Sequence, residues 1–332
     1  MNTLLIDSID VAAEFLKNGE VVAIPTETVY GLAANALDSE AVKKIFKAKG
    51  RPSDNPLIVH ISDISEIHSL VSDFPQDAKK LANNFWPGPL TMIFHKSDVV
   101  PFITSGGLET VAIRFPESEI ARNLIKKVQF PLAAPSANSS GSPSPTSHMH
   151  VLNDLNGKIP AILKGPNCSV GVESTVIDMT SDPVRLLRPG KISAKEISDV
   201  LNKPIIIDES VDHLVSDLNN VKSPGVKYKH YSPRTKVVLI KSSKDKFAEF
   251  VNSRECVAMG FSEDEKYIKS NFISYGSEFS QDEQLNLLFD SLRKIDNFNK
   301  DIAYIHIARK ENLNLAVLNR LLRASGFCIY DL

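Results

Sequence analysis

The stretch IPTETVYGLAANALDSEAVKKIFKAKGRPSDNPLIVHI, residues 24–61, constrains the fold more than any other part of the chain. It leaves an apolar, β-branched run (Val21, Val22, Ile24), breaks into a polar turn carrying Thr26, Glu27, Thr28, Tyr30 and Gly31, and continues as a helix. Asp38 or Ser39 is the N-cap, Val42, Ile45 and Phe46 recur at helical spacing, and Gly50 stands where a left-handed capping glycine belongs. The helix therefore ends at Lys49. Arg51, Ser53, Asp54 and Asn55 follow, held between Pro52 and Pro56, before a second apolar strand over 57–61 that carries His60. A strand end and a helix end thus deliver polar side chains to one place.

What that place can bind follows from its charges. Arg51 offers a planar fork and Lys49 a compact point charge, with hydroxyls and an amide beside them. An anionic ligand fits this set, and so does a plain helix C-terminus whose cations answer the macrodipole. Polar residues interrupt later apolar runs too. VAIRF at 111–115 is a short β-run broken by Arg114, a charge either ion-paired structurally or aimed into a site, and Thr110 shares its surroundings. LAAPSANSSGSPSPT, 132–146, has the composition of a linker, yet its small residues let a ligand approach the backbone closely. GVESTVIDM, 171–179, sets Ser174 and Thr175 at a strand entrance, where they either cap backbone or face a ligand. LLRPG ends a further strand with Arg188. Trp86, in WPGPLTMIF, reads as a packing anchor before a sharp turn into a strand over 90–94.

Helices are expected over 11–17, 75–85, 117–128 and 193–201. From 208 to 235 periodicity fails, and SPGVKYKHYSPRT brings together proline, glycine, cations, His230 and Tyr231. Beyond it KVVLIKS, ECVAMGF and DIAYIHIA read as three buried strands, alternating with helices over 244–251, 283–294 and 314–325. That alternation argues a small parallel α/β domain. At 332 residues the chain exceeds one ordinary core, so the expected division is 1–207, a connecting segment 208–235, and 236–332.

A net charge of -2 argues against stable DNA binding, which needs a basic surface. Cys168, Cys256 and Cys328 are far apart and odd in number, which supports neither disulfides nor a zinc motif and suits a reducing cytoplasm. No apolar run approaches the ~18 residues a membrane span needs, and acids stand near the start where a signal peptide would be basic. A soluble cytoplasmic protein is expected. The chain has no P-loop, no G-x-G-x-x-G, no H-E-x-x-H and no hydrolase triad motif. Its chemistry is expected to rest on cations, hydroxyls and a metal brought with a nucleotide, without a metal site of its own.

PTETVYGL, KGRP with NPL following, WPGPLT, SAN with the next SG, and VESTV together resemble the YrdC-like family, whose members include the threonylcarbamoyl-AMP synthases. These motifs span most of the first two thirds of the chain. The remainder looks like the long subclass with an additional C-terminal domain. The resemblance implies an α/β protein: a YrdC-like twisted sheet around an open, positively charged cavity, plus a small Rossmann-like domain. It implies a nucleotidyltransferase that makes threonylcarbamoyl-AMP and pyrophosphate from L-threonine, bicarbonate or CO2, and ATP with Mg2+. The product would pass to a tRNA threonylcarbamoyl transferase.

Carried over residue by residue, the resemblance implies that Thr28, His60, Arg114, Ala134 and Ser174 hold threonine. Arg51, Asn55, Thr110, Ser136, Asn138, Ser144, Arg188 and Tyr231 would hold ATP, and Lys49 and Arg51 would neutralise its phosphates during catalysis. Segment 208–235 is then either a tether or a lid over the site, with Tyr231 near the nucleotide. An RNA-binding protein of the same fold and a YrdC-like carbamoyl-transfer enzyme are the two alternatives; the latter is opposed by the absence of zinc-finger cysteines.

Overall fold

A computed structural model describes residues 2–211, 231–269, 271–307 and 313–332. Among these, one unit comprises 2–140, 145–169 and 173–211, and a second comprises 141–144, 170–172 and the described residues from Tyr231 onward. Most of the segment read as tether or lid lies outside the described residues; Tyr231 lies within them.

The first unit is built on an eleven-stranded mixed sheet. In chain order its strands are β1 (Leu4–Ile6), β2 (Val22–Ile24), β3 (Gly31–Asn35), β4 (Ile58–His60), β5 (Leu90–His95), β6 (Thr110–Arg114), β7 (Leu132–Ala133), β8 (Ala161–Leu163), β9 (Thr175–Asp178), β10 (Arg185–Arg188) and β11 (Ile206–Ile207). They lie side by side as β1-β8-β2-β3-β7-β4-β6-β5-β9-β10-β11. β2, β4, β6 and β9 are buried throughout, which is why their sequences run apolar instead of alternating. Helices Ile9–Lys17 and Glu119–Val128 cover one region of the sheet, setting Ala12, Leu16, Leu124 and Val128 against Val22, Ile24, Ala33 and Leu163.

The helix Ser39–Lys49 has the ends its sequence predicts: Asp38 accepts from the Glu40 and Ala41 N–H groups, and Gly50 closes it at φ 62°. Trp86 is buried and its indole N–H donates to the Leu90 carbonyl at 2.7 Å, as suits a packing anchor. The polar turn does not lead straight into the helix, however. β3 intervenes, antiparallel to β2 with Ala33 opposite Val22. Its sequence, GLAAN, has little strand propensity, and pairing on both edges with β2 and β7 overrides that. β1, β8 and the helix His148–Leu155 also lie beyond the sequence reading, since three-residue strands are too short to show a period.

The second unit has five parallel strands: β12 (Lys236–Lys241), β13 (Val257–Gly260), β14 (Phe272–Ser274), β15 (Ile302–Ile307) and β16 (Ile329–Asp331). Their order is β14-β13-β15-β12-β16, with helices Lys244–Asn252, Gln281–Ile295 and Leu315–Ser325 between them in sequence. Sequence predicts three of the strands; β14 and β16 are short edges. Counted within the unit the order is 3-2-4-1-5, so the first and fourth strands are exchanged relative to the dinucleotide-binding order. The missing glycine fingerprint agrees with that departure. No helix among the described residues is long and apolar enough to cross a membrane.

Candidate active site

Five adjacent strands of the first unit bring together the residues predicted to hold threonine. β4 and β6 run parallel with His60 beside Arg114, and β7 runs antiparallel to β4 with Leu132 beside His60, so that Ala134 leaves the sheet at Ile58, to whose carbonyl its N–H donates at 3.0 Å. β5 sets Thr91 beside Arg114, and β9 runs along β5 from its entrance at Ser174. The loop between β2 and β3 adds Thr28. All of these side chains are buried.

The sequence leaves Arg114 open between an ion pair and a site, and the structure shows the ion pair. Its Nη1 donates to Thr28 Oγ1 at 2.8 Å, Nη2 to Glu27 Oε1 at 2.5 Å, and Nε to the Gly88 carbonyl at 3.3 Å. Each terminal nitrogen carries a second N–H beyond these bonds, and two such groups are what a carboxylate takes from an arginine fork. Burial works to raise the Glu27 carboxyl, but the Arg114 guanidinium and backbone N–H groups outweigh it and hold the group below its ordinary value. Burial, then the charge of Arg114, pushes His60 down to about 3, so its ring is neutral; one ring nitrogen lies 3.2 Å from the Ile58 carbonyl. Ser174 Oγ lies 2.7 Å from Thr91 Oγ1 and accepts from Arg188 Nη2 at 3.1 Å.

The residues predicted to hold ATP form a second cluster. The Lys49 ammonium donates to the carbonyls of Ser136 and Asn138, the latter at 2.7 Å, and Ser136 Oγ donates to Asn138 Oδ1 at 2.5 Å. The Ser140 N–H returns to the Lys49 carbonyl at 3.0 Å. The serine-rich segment that could be a linker is therefore, up to Ser140, a loop closed on the helix end. Burial, and then the neighbouring Arg51, lowers the Lys49 pKa well below its ordinary value. Arg51 reaches the Pro56 carbonyl at 3.4 Å. Asn55 is buried beneath Gly106, where φ is 64° and a Cβ would stand 2.7 Å from the Pro56 nitrogen, so only glycine fits.

Other members of that set lie on other elements. Thr110 begins β6 two residues before Ala112, which pairs with Ile58 of the parallel β4, so it stands at the end of the sheet where the Asn55–Pro56 stretch enters β4. Arg188 donates from Nε to the Ser174 carbonyl and from Nη2 to the Ser174 hydroxyl, which ties it to the residue predicted to hold threonine. Ser144 and Tyr231 are buried in the second unit. Sequence reasoning assigned no role to Glu27 or Thr91. Thr91 carried the same signal as Arg114, a polar side chain inside an apolar strand; Glu27 carried none, because a carboxylate in a polar turn reads as solvated. Among the described residues no group of three His, Cys, Asp or Glu is placed to hold a metal ion.

Residues 14–190 match the Sua5/YciO/YrdC family model, described as "Telomere recombination", and residues 192–326 match "Threonylcarbamoyl-AMP synthase, C-terminal domain". The chain belongs to the Sua5/YciO/YrdC family. Within that family it is 45% identical over 335 residues to a threonylcarbamoyl-AMP synthase of Pyrococcus abyssi, covering 97% of this chain and 95% of that protein. It is 42% identical over 323 residues to one from Bacillus subtilis, covering 95% and 92%. The crystal structure of P. abyssi Sua5 complexed with L-threonine superposes over 100% of both chains with a TM-score of 0.90 at 42% identity.

Proposed function

We propose that the chain is a threonylcarbamoyl-AMP synthase, a nucleotidyltransferase that joins L-threonine, bicarbonate or CO2, and ATP into threonylcarbamoyl-AMP with release of pyrophosphate. What supports this reading is a chain matched along its length by synthases of that name, in which adjacent strands set His60 and Thr91 beside Arg114, with the Thr28 hydroxyl bonded to Arg114 and Ser174 bonded to Thr91. In it Arg114 takes the threonine carboxylate through its second N–H on each terminal nitrogen, while Glu27 and Thr28 hold the fork in place. Neutral His60 and the hydroxyls of Thr28 and Ser174 face the polar remainder of the amino acid in a dry pocket.

The amine nitrogen forms its bond to the carbon of CO2, losing a proton, and a carbamate oxygen then attacks the α-phosphorus of ATP as the bond to pyrophosphate breaks. Neither step needs a protein nucleophile. Each needs alignment and fixed positive charge, which Arg51, Arg188 and the Lys49 loop supply. Asn55, Thr110, Ser136, Asn138, Ser144 and Tyr231 complete the nucleotide set. Mg2+ would neutralise the phosphates. The buried carboxylate Glu27 is already paired with Arg114, so the metal's ligands would come chiefly from the nucleotide itself. The product is suited to a transferase that modifies tRNA, and the free cysteines support a reducing cytoplasm as the setting.

Incubation with ATP, threonine and labelled bicarbonate tests the reading. Pyrophosphate and a labelled adenylate should appear only when all three are present. Release of pyrophosphate without threonine dependence would remove it, and retention of RNA with a steep salt dependence would favour the RNA-binding alternative.

A further inference from the structure

The turn between β2 and β3 carries Thr26, Glu27 and Thr28 in succession, all buried within the first unit. Glu27 and Thr28 bind Arg114, and Thr26 does not. Thr26 Oγ1 lies 2.6 Å from the Val29 carbonyl oxygen. A carbonyl only accepts, so the single proton of the Thr26 hydroxyl is spent there. Thr26 Oγ1 also lies 2.9 Å from Thr28 Oγ1, and with the Thr26 proton committed, Thr28 is the donor of that bond. The backbone N–H groups of Thr28 and Val29 reach the same oxygen at 3.3 Å, which closes the turn on the Thr26 side chain.

Thr28 is thereby defined on both sides. Its proton goes to Thr26, and one of its lone pairs accepts from Arg114 Nη1 at 2.8 Å, since a guanidinium only donates. Among the described residues the Thr28 hydroxyl has no further partner. What it keeps for a ligand is one lone pair and no proton.

We propose, on the synthase reading given above, that Thr26 is a positioning residue: by taking the Thr28 proton it makes Thr28 an acceptor only, set to receive an N–H of the substrate amine. In that reading the carboxylate sits on the Arg114 fork, whose Nη1 also holds Thr28, and the amine of an α-amino acid is one carbon from its carboxylate. The direction of the bond matters because a neutral amine reacts through its lone pair. An O–H aimed at the nitrogen would occupy that pair, whereas an acceptor takes an N–H and leaves the pair open to the carbon of CO2. The carbamate nitrogen still carries an N–H, so the same Thr28 lone pair serves substrate and intermediate.

The test uses the full chain with Thr26→Val, which keeps the shape and loses the hydroxyl, and Thr26→Ser, which keeps the hydroxyl. In Thr26→Val the Thr28 proton has lost its acceptor and turns toward the ligand. At saturating ATP, kcat/KM for threonine should fall about tenfold or more, the KM for ATP should stay within about twofold, and Thr26→Ser should recover most of the loss. Competitive inhibition by (R)-β-hydroxybutyrate, which has the carboxylate and hydroxyl of threonine but no amine, separates the direction of the bond from the shape of the turn. Its inhibition constant should stay within about twofold in Thr26→Val. Thr26→Ala gives the same reading if Thr26→Val fails to fold. A threonine kcat/KM within about twofold of wild type, no recovery in Thr26→Ser, or equal losses for threonine and the amine-free inhibitor would overturn the inference. A wild-type chain that releases no threonine-dependent pyrophosphate would overturn the synthase reading instead; an active wild type with an unaltered Thr26→Val variant overturns only this one.

Discussion

A dry, paired guanidinium can still recognise a carboxylate, because it has more N–H groups than one partner can take. Arg114 gives Nη2 to Glu27 and Nη1 to Thr28 and has one further N–H on each. Truncating it therefore does two things. Arg114→Ala removes the carboxylate fork, and it also strands the buried Glu27 charge, at a cost of about 3–5 kcal/mol. The fold of that variant is expected to suffer along with threonine use. Arg114→Ala with Glu27→Gln removes both charges, so its urea midpoint should lie nearer wild type than that of the single variant, while threonine-dependent pyrophosphate release stays absent. Threonine use retained by the double variant would take Arg114 out of the site. Arg114 was legible in the sequence because a charge inside VAIRF has no solvent to answer it; its partner was not, because only the register of β4, β6 and the β2–β3 loop shows that Glu27 is dry.

Elements with local grammar were read correctly, and elements defined by their neighbours were not. Caps at Asp38 and Gly50 act within one turn of chain, so the helix Ser39–Lys49 could be placed from its residues. β3 could not, since nothing in GLAAN favours a strand until β2 and β7 flank it. The same distinction governs Lys49. Sequence leaves it as a dipole-answering cation or a ligand contact, and the structure adds a third part by closing the Ser136–Asn138 turn onto its ammonium. Lys49→Met is therefore expected to open that loop as well as remove a charge, lowering turnover by at least the ~100-fold typical of losing one preorganised electrostatic group. Steady-state assays at saturating threonine check this; full activity would return Lys49 to the helix-end role.

At the scale of the molecule, Glu27, His60 and Lys49 all bind protons less readily folded than unfolded, and so bias stability with one sign. For His60 the unfolded ring protonates as pH falls through its ordinary 6.5, whereas the folded ring resists until about 3. Stability is therefore full above 6.5 and declines below it, by about 2 kcal/mol between pH 7 and pH 5 from this residue alone. Lys49 works in the same direction from its ordinary 10.5 downward, and Glu27 contributes above its ordinary 4.5 until pH falls through its lowered value. Urea titrations at pH 7 and pH 5 should show a smaller loss for His60→Gln than for wild type; equal losses would mean that His60 is solvated. Two domains could be anticipated from chain length, but not the grouping of 141–144 and 170–172 with residues from Tyr231 onward, since each is a short turn without a periodic signal.

That grouping has a consequence for the order in which the chain is made. The turn at 170–172 leaves the ribosome more than a hundred residues before the helix Gln281–Ile295 that it rests against. At about 5–20 residues per second the delay is on the order of ten seconds. During it a nascent chain already carries every residue of the Lys49 loop and the Arg114 row, while the turns at 141–144 and 170–172 still wait for the chain they group with. The second unit's grouping is thus completed last in synthesis, and a product that stops short of the helix Gln281–Ile295 leaves the turn at 170–172 without the backbone that Gly171 lies against.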